Sequence, residues 1–341
     1  MFGMSRDTTA RHGAPNAAAS GGAAGNVSGT SPADSYGWHK REEAIMGTAI
    51  SVELWSEDAI VAENAMNAVM DEMHRIDRLM SPHKPESELS RINRNADCMA
   101  VPVCDEMMML FKRAHHFSTL SKGAFDITYA SIGRLFDYRQ RVKPTEDQLK
   151  QARLAVGYKN FLLDDYTQSV RFGKPGMCID LGGFAKGHAV DNATEILKRR
   201  GIRHANISAG GDSRVTGDKR GRPWMIGVRD PRRADQIIAV LPLVDTSIST
   251  SGDYERYFDE DGVRFHHLID PLTGKSPDTV QSVTILASDG LTTEAFSKIV
   301  FVLGREKGLK LVETQQGIDA IIVDSAGVLH FSSGLLNSTP S

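Results

Sequence analysis

The chain has 341 residues, 40% of them apolar, and its 40 basic against 43 acidic side chains give a formal net charge of −3. That length suits one large domain or two modest ones, and the charge balance leaves no footprint for nucleic acid or an anionic membrane surface. No apolar run approaches the ~18 residues of a transmembrane helix, and Cys98, Cys104 and Cys178 form neither a C-x-x-C pair nor a zinc spacing.

Residues 1–37 are rich in Gly, Ala, Ser, Thr and Asn. Such a segment cannot bury enough surface to offset its ordering entropy, so a disordered tail is expected. It carries neither the apolar core of a signal peptide nor a twin arginine. Either the protein stays in the cytoplasm or this start lacks a native leader. The folded part is expected over 38–334, with a second polar tail over 335–341. The odd cysteine count argues against a disulfide scaffold but leaves one Cys98–Cys104 bridge open.

Glu43 to Leu54 reads as a strand around Met46-Gly47-Thr48, with a turn or a β-bulge at Gly47. Ala62, Ala65, Met66, Val69, Met73, Ile76 and Leu79 recur at helical spacing and predict a helix over 59–80, its methionines serving as core filler. Residues 81–93 form a loop entering a short helix with Ser87 at its start. A second helix follows over 105–120, then Gly123-Ala124-Phe125-Asp126-Ile127-Thr128, where Asp126 reads as a helix cap or a site residue. Pro144-Thr145-Glu146-Asp147 is a helix entry. Phe161–Leu163 with Ser169–Phe172 reads as a hairpin.

Cys178-Ile179-Asp180-Leu181-Gly182-Gly183-Phe184-Ala185-Lys186-Gly187-His188 is the centre of the chain. It reads as a strand, a glycine turn and a helix start, a geometry that offers backbone N–H groups and a positive dipole end to an anion. Lys186 can meet a phosphate as a point charge. The pattern is neither G-x-G-x-x-G nor a P-loop. Further strands are expected at 205–209, 224–229 and 283–287. Ser247–Asp253 offers hydroxyls beside Gly252, suited to a phosphate contact or a solvated turn. In Phe265-His266-His267-Leu268-Ile269-Asp270 the two histidines point to opposite faces, so at most one serves a site, and His267 is the choice because it joins Leu268-Ile269-Asp270 directly. A helix over 291–303 is expected to stop at Gly304. Residues 318–323 and 328–331 close the chain as a hairpin.

Asp180-Leu-Gly-Gly-Phe-Ala-Lys-Gly-His-Ala-Val-Asp191 resembles the signature of the ApbE-type flavin transferases, the FAD:protein FMN transferases. Met46-Gly-Thr48, Ser87-Glu-Leu-Ser-Arg-Ile-Asn93, Gly123-Ala-Phe-Asp-Ile-Thr128, Thr250-Ser-Gly-Asp-Tyr254 and His266-His-Leu-Ile-Asp-Pro-Leu-Thr-Gly274 are similar to further motifs of that family, in the same order. The resemblance implies FAD as substrate, Mg²⁺, and an acceptor flavoprotein modified on Thr or Ser with release of AMP. It places Met46, His83, Ala124, Phe125, Asp126, Asp180, Lys186, Ser251, Gly252, His267, Leu268 and Ile269 at the FAD site, with Arg91 and Asn93 near the nucleotide. It gives Asp180, Lys186 and His267 catalytic roles. His83 stands where the family often has a tyrosine.

For the metal, the family uses an Asp and, four residues on, a Thr of one helix, with a backbone carbonyl of the glycine turn. Here Glu294 and Lys298 stand at those two positions. Three arrangements are open. A metal can bind through Glu294, Ser297 and the Gly183 or Ala185 carbonyl. The Lys298 ammonium can replace part of its charge. Or Glu294 and Lys298 can simply pair. FAD hydrolysis to FMN and AMP and non-catalytic FAD binding remain competing functions.

Strands outnumber helices and do not alternate with them, which disfavours a doubly wound sheet. The expectation is an α+β fold of mixed, mostly antiparallel sheets with flanking helices, ApbE-like and T-fold-related, two-lobed around a central FAD cleft.

Overall fold

The computed structural model describes residues 37–336. The expected tails lie outside these residues except at their edges: Gly37 opens the first strand, and Leu335 and Leu336 belong to a one-turn helix. In chain order the elements are β1 (Gly37–Ile45), β2 (Thr48–Ser56), α1 (Ala59–Met80), α2 (Glu88–Asn95), β3 (Val101–Pro102), α3 (Asp105–Leu120), α4 (Ala130–Gly133), α5 (Glu146–Leu154), β4 (Phe161–Asp164), β5 (Ser169–Phe172) and α6 (Ala185–Arg199). Then come β6 (Ala205–Ala209), β7 (Asp212–Thr216), β8 (Trp224–Arg229), β9 (Ile237–Leu243), β10 (Ser247–Gly252), β11 (Tyr257–Glu260), β12 (Val263–His266), β13 (Val280–Ala287), α7 (Gly290–Val312), β14 (Asp319–Asp324), β15 (Leu329–Phe331) and α8 (Ser333–Leu336).

Eight strands make one sheet in the order β1-β2-β6-β7-β10-β13-β14-β15, with β3-β5-β4, β8-β9 and β11-β12 as smaller sheets. Every strand pairing within them is antiparallel, so the fold is α+β as expected. Helix α6 packs against both α1 and α7, and all three lie on the large sheet. The β8–β9 hairpin brings Trp224 and Leu243 onto Val215, Ile248 and Leu286. With helices on one face and this hairpin on the other, every residue of β13 is buried.

Local signals explain most elements. Asp58 caps α1 by accepting from the amides of Ile60 at 2.7 Å and Val61 at 3.2 Å. Met66, Met70, Met73 and Met80 face the core. Met46 and Gly47 both take positive φ, 54° and 71°. They form the two-residue turn that matches strand twist, so the chain turns here without a bulge.

Three local expectations change. Gly304 interrupts α7 with φ 74° and ψ 177°, and helix then resumes to Val312 instead of stopping. Cys98 and Cys104 are both free. The stretch before the glycine turn joins no strand among the described residues. The Asn93 side chain grips the Ile179 backbone from both sides, donating to its carbonyl at 2.9 Å and accepting from its amide at 2.9 Å. Ser131 accepts from the Cys178 amide at 2.9 Å, and the Asp180 amide donates to the Ile127 carbonyl at 3.0 Å. Side chains here replace a ladder.

Candidate functional site

A cavity of about 790 Å³ opens between the glycine turn at the start of α6, the 124–138 segment, the end of β10 and residues 267–271. That size is in the range of cofactor sites. His83, Ala124, Phe125, Asp126, Asp180, Gly183, Lys186, Ser251, Gly252, His267, Leu268, Ile269 and Lys298 line it. Sites more than 200 residues apart in sequence therefore meet on one wall system. Met46, Arg91, Ala185, Glu294 and Ser297 are not among the lining residues. Arg91 instead donates to the Pro102 carbonyl. Asn93 does line the cavity while holding Ile179.

Two glycines bring the chemistry together. A Cβ at Gly187 would fall on the backbone of Gly290, and one at Gly290 would lie 2.6 Å from the Gly187 carbonyl oxygen. Only with both positions bare do α6 and α7 cross this closely. The crossing sets Glu294, one turn into α7, against the start of α6. Its Oε2 accepts from the Gly187 amide at 2.7 Å. Its Oε1 takes the Lys186 ammonium and, at 3.3 Å, that of Lys298. Lys186 also pairs with Asp212 Oδ2 at 2.9 Å, and Ser249 donates to Asp212 Oδ1. Both carboxylates are buried, with side chains 0% and 4% exposed, whereas Lys186 and Lys298 keep 25% and 18% on the cavity side.

Burial opposes the charges here, but pairing wins. Desolvation alone would lower the Lys186 pKa, yet Asp212 and Glu294 raise it above the usual lysine value. Desolvation would raise that of Asp212, yet Lys186 and Lys298 hold it below the usual carboxylate value. Lys186 and Asp212 therefore carry opposite charges near neutral pH.

The two histidines separate: His266 ends β12 and His267 lies just beyond it. His266 is buried, its Nε2 against the Pro277 carbonyl at 2.8 Å and its ring edge-on to Phe301. His267 lines the cavity, and its buried Nδ1 has no hydrogen-bond partner among the described residues. Burial, then the charges of Arg256, His266, Lys298 and Lys186, push its pKa well below 6.5. The imidazole is neutral and stands in a positive field.

Asp126 is largely occupied with the backbone. Its oxygens accept from Thr128 N at 2.8 Å, Thr128 Oγ1 at 2.7 Å and Tyr158 N at 2.7 Å. It shapes the wall more than it offers a free carboxylate. Asp180 accepts from the Gly182 amide at 2.7 Å and closes the turn. Its charge raises the pKa of the neighbouring Tyr129 hydroxyl well above the tyrosine norm.

Sequence reasoning passed over Tyr129, Arg134, Phe136, Tyr138 and Arg256, all at the cavity. Phe136 and Tyr138 stack with rings 3° from parallel. Tyr129 directly follows Asp126-Ile127-Thr128, so its position beside that motif was the available signal. The others lie in a stretch with no periodic pattern.

A divalent metal does not fit the residues present. Mg²⁺ asks for near-octahedral oxygen at about 2.0–2.1 Å. All four oxygens of Glu294 and Asp212 already hold hydrogen-bond donors, three of these contacts being with ammonium groups. Ser297 faces the sheet, against Ser251 at 2.8 Å and Ser249 at 3.2 Å, and donates to the Glu294 carbonyl at 2.8 Å. Among the described residues no group of three His, Cys, Asp or Glu side chains is placed to hold a metal.

The family model for the "ApbE family" matches residues 46–322. This chain belongs to the ApbE family. It is 30% identical to the FAD:protein FMN transferase of Vibrio cholerae over 80% of this chain and 83% of that one. It is 31% identical to that of Klebsiella pneumoniae, over 82% and 87%. Among solved structures, the ApbE protein from Thermotoga maritima superposes with a TM-score of 0.81 at 35% identity, covering 88% of this chain and 98% of that one. The flavin transferase ApbE from Vibrio cholerae gives 0.79 at 26%, covering 88% and 99%. The α+β architecture is thus the ApbE fold.

Proposed function

We infer that this chain is an FAD:protein FMN transferase. The observation that carries the reading is the convergence of Asp180, Lys186 and His267 on one cavity beside the start of α6. The family and the names of its relatives support it. FAD lies with its diphosphate toward the glycine turn and the two lysines, where positive charge and a helix start favour an anion. Tyr129, Phe136 and Tyr138 offer aromatic area for the flavin ring, with His83 at the exposed rim.

The acceptor is a flavoprotein carrying a Thr or Ser at the modified position. Its hydroxyl oxygen attacks the FMN-side phosphorus while the bond to the bridging oxygen breaks and AMP leaves with that electron pair. FMN stays on the acceptor as a phosphodiester and one proton is released. Such a reaction needs in-line positioning and charge neutralisation more than covalent help. Neutral His267 is suited to take the hydroxyl proton, and the Asp180 carboxylate to orient it. Lys186 stabilises the negative charge.

The test is the mass of an acceptor peptide after incubation with FAD and enzyme. Wild type should add FMN, while His267→Ala and Asp180→Asn should slow the addition by about 10²–10⁴-fold. FMN and AMP released without labelling would make the chain a hydrolase. Full rates in both variants would remove their roles.

A further inference from the structure

We propose that this member holds the FAD diphosphate without a divalent cation, with the Lys186 and Lys298 ammonium groups in the cation's place. The inference rests on the FMN-transfer reading for the identity of the ligand, and on the side-chain cluster for its chemistry.

Lys298 is the one residue between 291 and 300 that is not buried, and it lines the cavity one turn beyond Glu294. Its Nζ is 3.3 Å from Glu294 Oε1, an oxygen it shares with the closer Lys186. The Gly187 amide and Lys186 already satisfy that carboxylate. Lys298 is therefore the weaker-held cation and is free to turn to an incoming phosphate oxygen. An ion at Glu294 would have to displace both ammonium groups and stand next to them, at a Coulomb cost that grows as the site dries. Lys298 can instead turn three N–H donors to a dianion, and Lys186, with two of its three on Asp212 and Glu294, one more. Arg256 and the start of α6 add positive charge at the same wall.

The chemistry balances without a metal. The diphosphate enters with two negative charges. The FMN diester leaves with one, AMP with two, and the acceptor hydroxyl gives up one proton.

The test measures FAD affinity by flavin fluorescence in excess EDTA and in excess Mg²⁺, for wild type, Lys298→Met, Lys298→Arg and Lys298→Thr, with circular dichroism to confirm folding. Equal wild-type affinity in both buffers is expected. Lys298→Met should weaken it about 10–100-fold in both, the worth of one or two charge-assisted hydrogen bonds, and Lys298→Arg should restore part of it. Wild-type binding that EDTA weakens about tenfold or more overturns the proposal. So does Lys298→Thr binding that improves with Mg²⁺ beyond wild type. Labelling of an acceptor peptide is followed in the same samples. Metal-free binding without labelling supports the lysine site and removes the transferase reading. Labelling that needs Mg²⁺ does the reverse.

Discussion

Helices α6 and α7 begin side by side, yet their starts are finished differently. The α7 start is closed. Asp289 accepts from the Thr292 amide at 2.8 Å, and Asp191, held by Arg214, accepts from the amides of Gly290 at 2.7 Å and Leu291 at 3.0 Å. The α6 start has no cap from its own N-cap residue, Phe184. It faces the cavity, and a distant carboxylate, Glu294, takes its Gly187 amide. Both helices need carboxylates at their positive ends. One arrangement is a fastening; the other leaves two lysines at the edge of a ligand site. The difference lies in what surrounds each helix start, since position in a helix alone does not make a site.

Substitutions can break that comparison at either end. The largest effect is expected from Gly187→Ala, because its Cβ meets the Gly290 backbone and neither strand of chain can yield easily. Overpacking there should cost about 3 kcal/mol and weaken FAD binding as well, read by urea unfolding and flavin fluorescence. Glu294→Gln follows. It removes the charge that both lysines share, and should cost about 2 kcal/mol while leaving the helix pair assembled. FAD affinity should rise or hold, since the ammonium groups lose a competitor. A collapse of affinity would mean that Glu294 itself serves the ligand. Asp289→Ala, at the closed end, should cost about 1 kcal/mol through loss of its cap bond to Thr292, with FAD affinity unchanged.

The smallest effect is a pH dependence. The folded pKa of His267 lies well below 6.5, so as pH falls through that value the unfolded chain takes up the proton first. Its contribution to stability is therefore full above 6.5 and is lost as pH falls toward the folded value. His267→Ala should flatten this part of the stability profile between about pH 7 and pH 5, measured by unfolding at successive pH values. An unchanged slope would place the titrating group elsewhere.

How much was legible beforehand follows from the range of the interactions. Ser87 and Thr145 announce helices because capping is local. The two-residue period of a strand said only that at most one of His266 and His267 faces a site, and the choice of His267 rested on its direct link to Leu268-Ile269-Asp270 and the D-P-x-T-G run. The motif order carried the family. By contrast, the Asn93 grip on Ile179 spans 86 residues, and it replaces the strand ladder that the apolar run suggested. Ser297 read as a candidate oxygen ligand because it neighbours the expected position, but the 100° per residue of a helix turns it to Ser249 and Ser251. The Phe136–Tyr138 wall has no periodic signature and became visible only with its partners. The choice among the three open roles of Glu294 and Lys298 depended on who else touches Glu294, and Lys186 and Gly187 could not be placed there by spacing.

The most direct measurement is a crystal of the protein grown with FAD and Mn²⁺, a metal with a usable anomalous signal that accepts the same oxygen ligands. The account predicts Lys186 and Lys298 Nζ on diphosphate oxygens, with no anomalous peak at Glu294. An ion between Glu294 and the diphosphate, with Lys298 turned away, would contradict it.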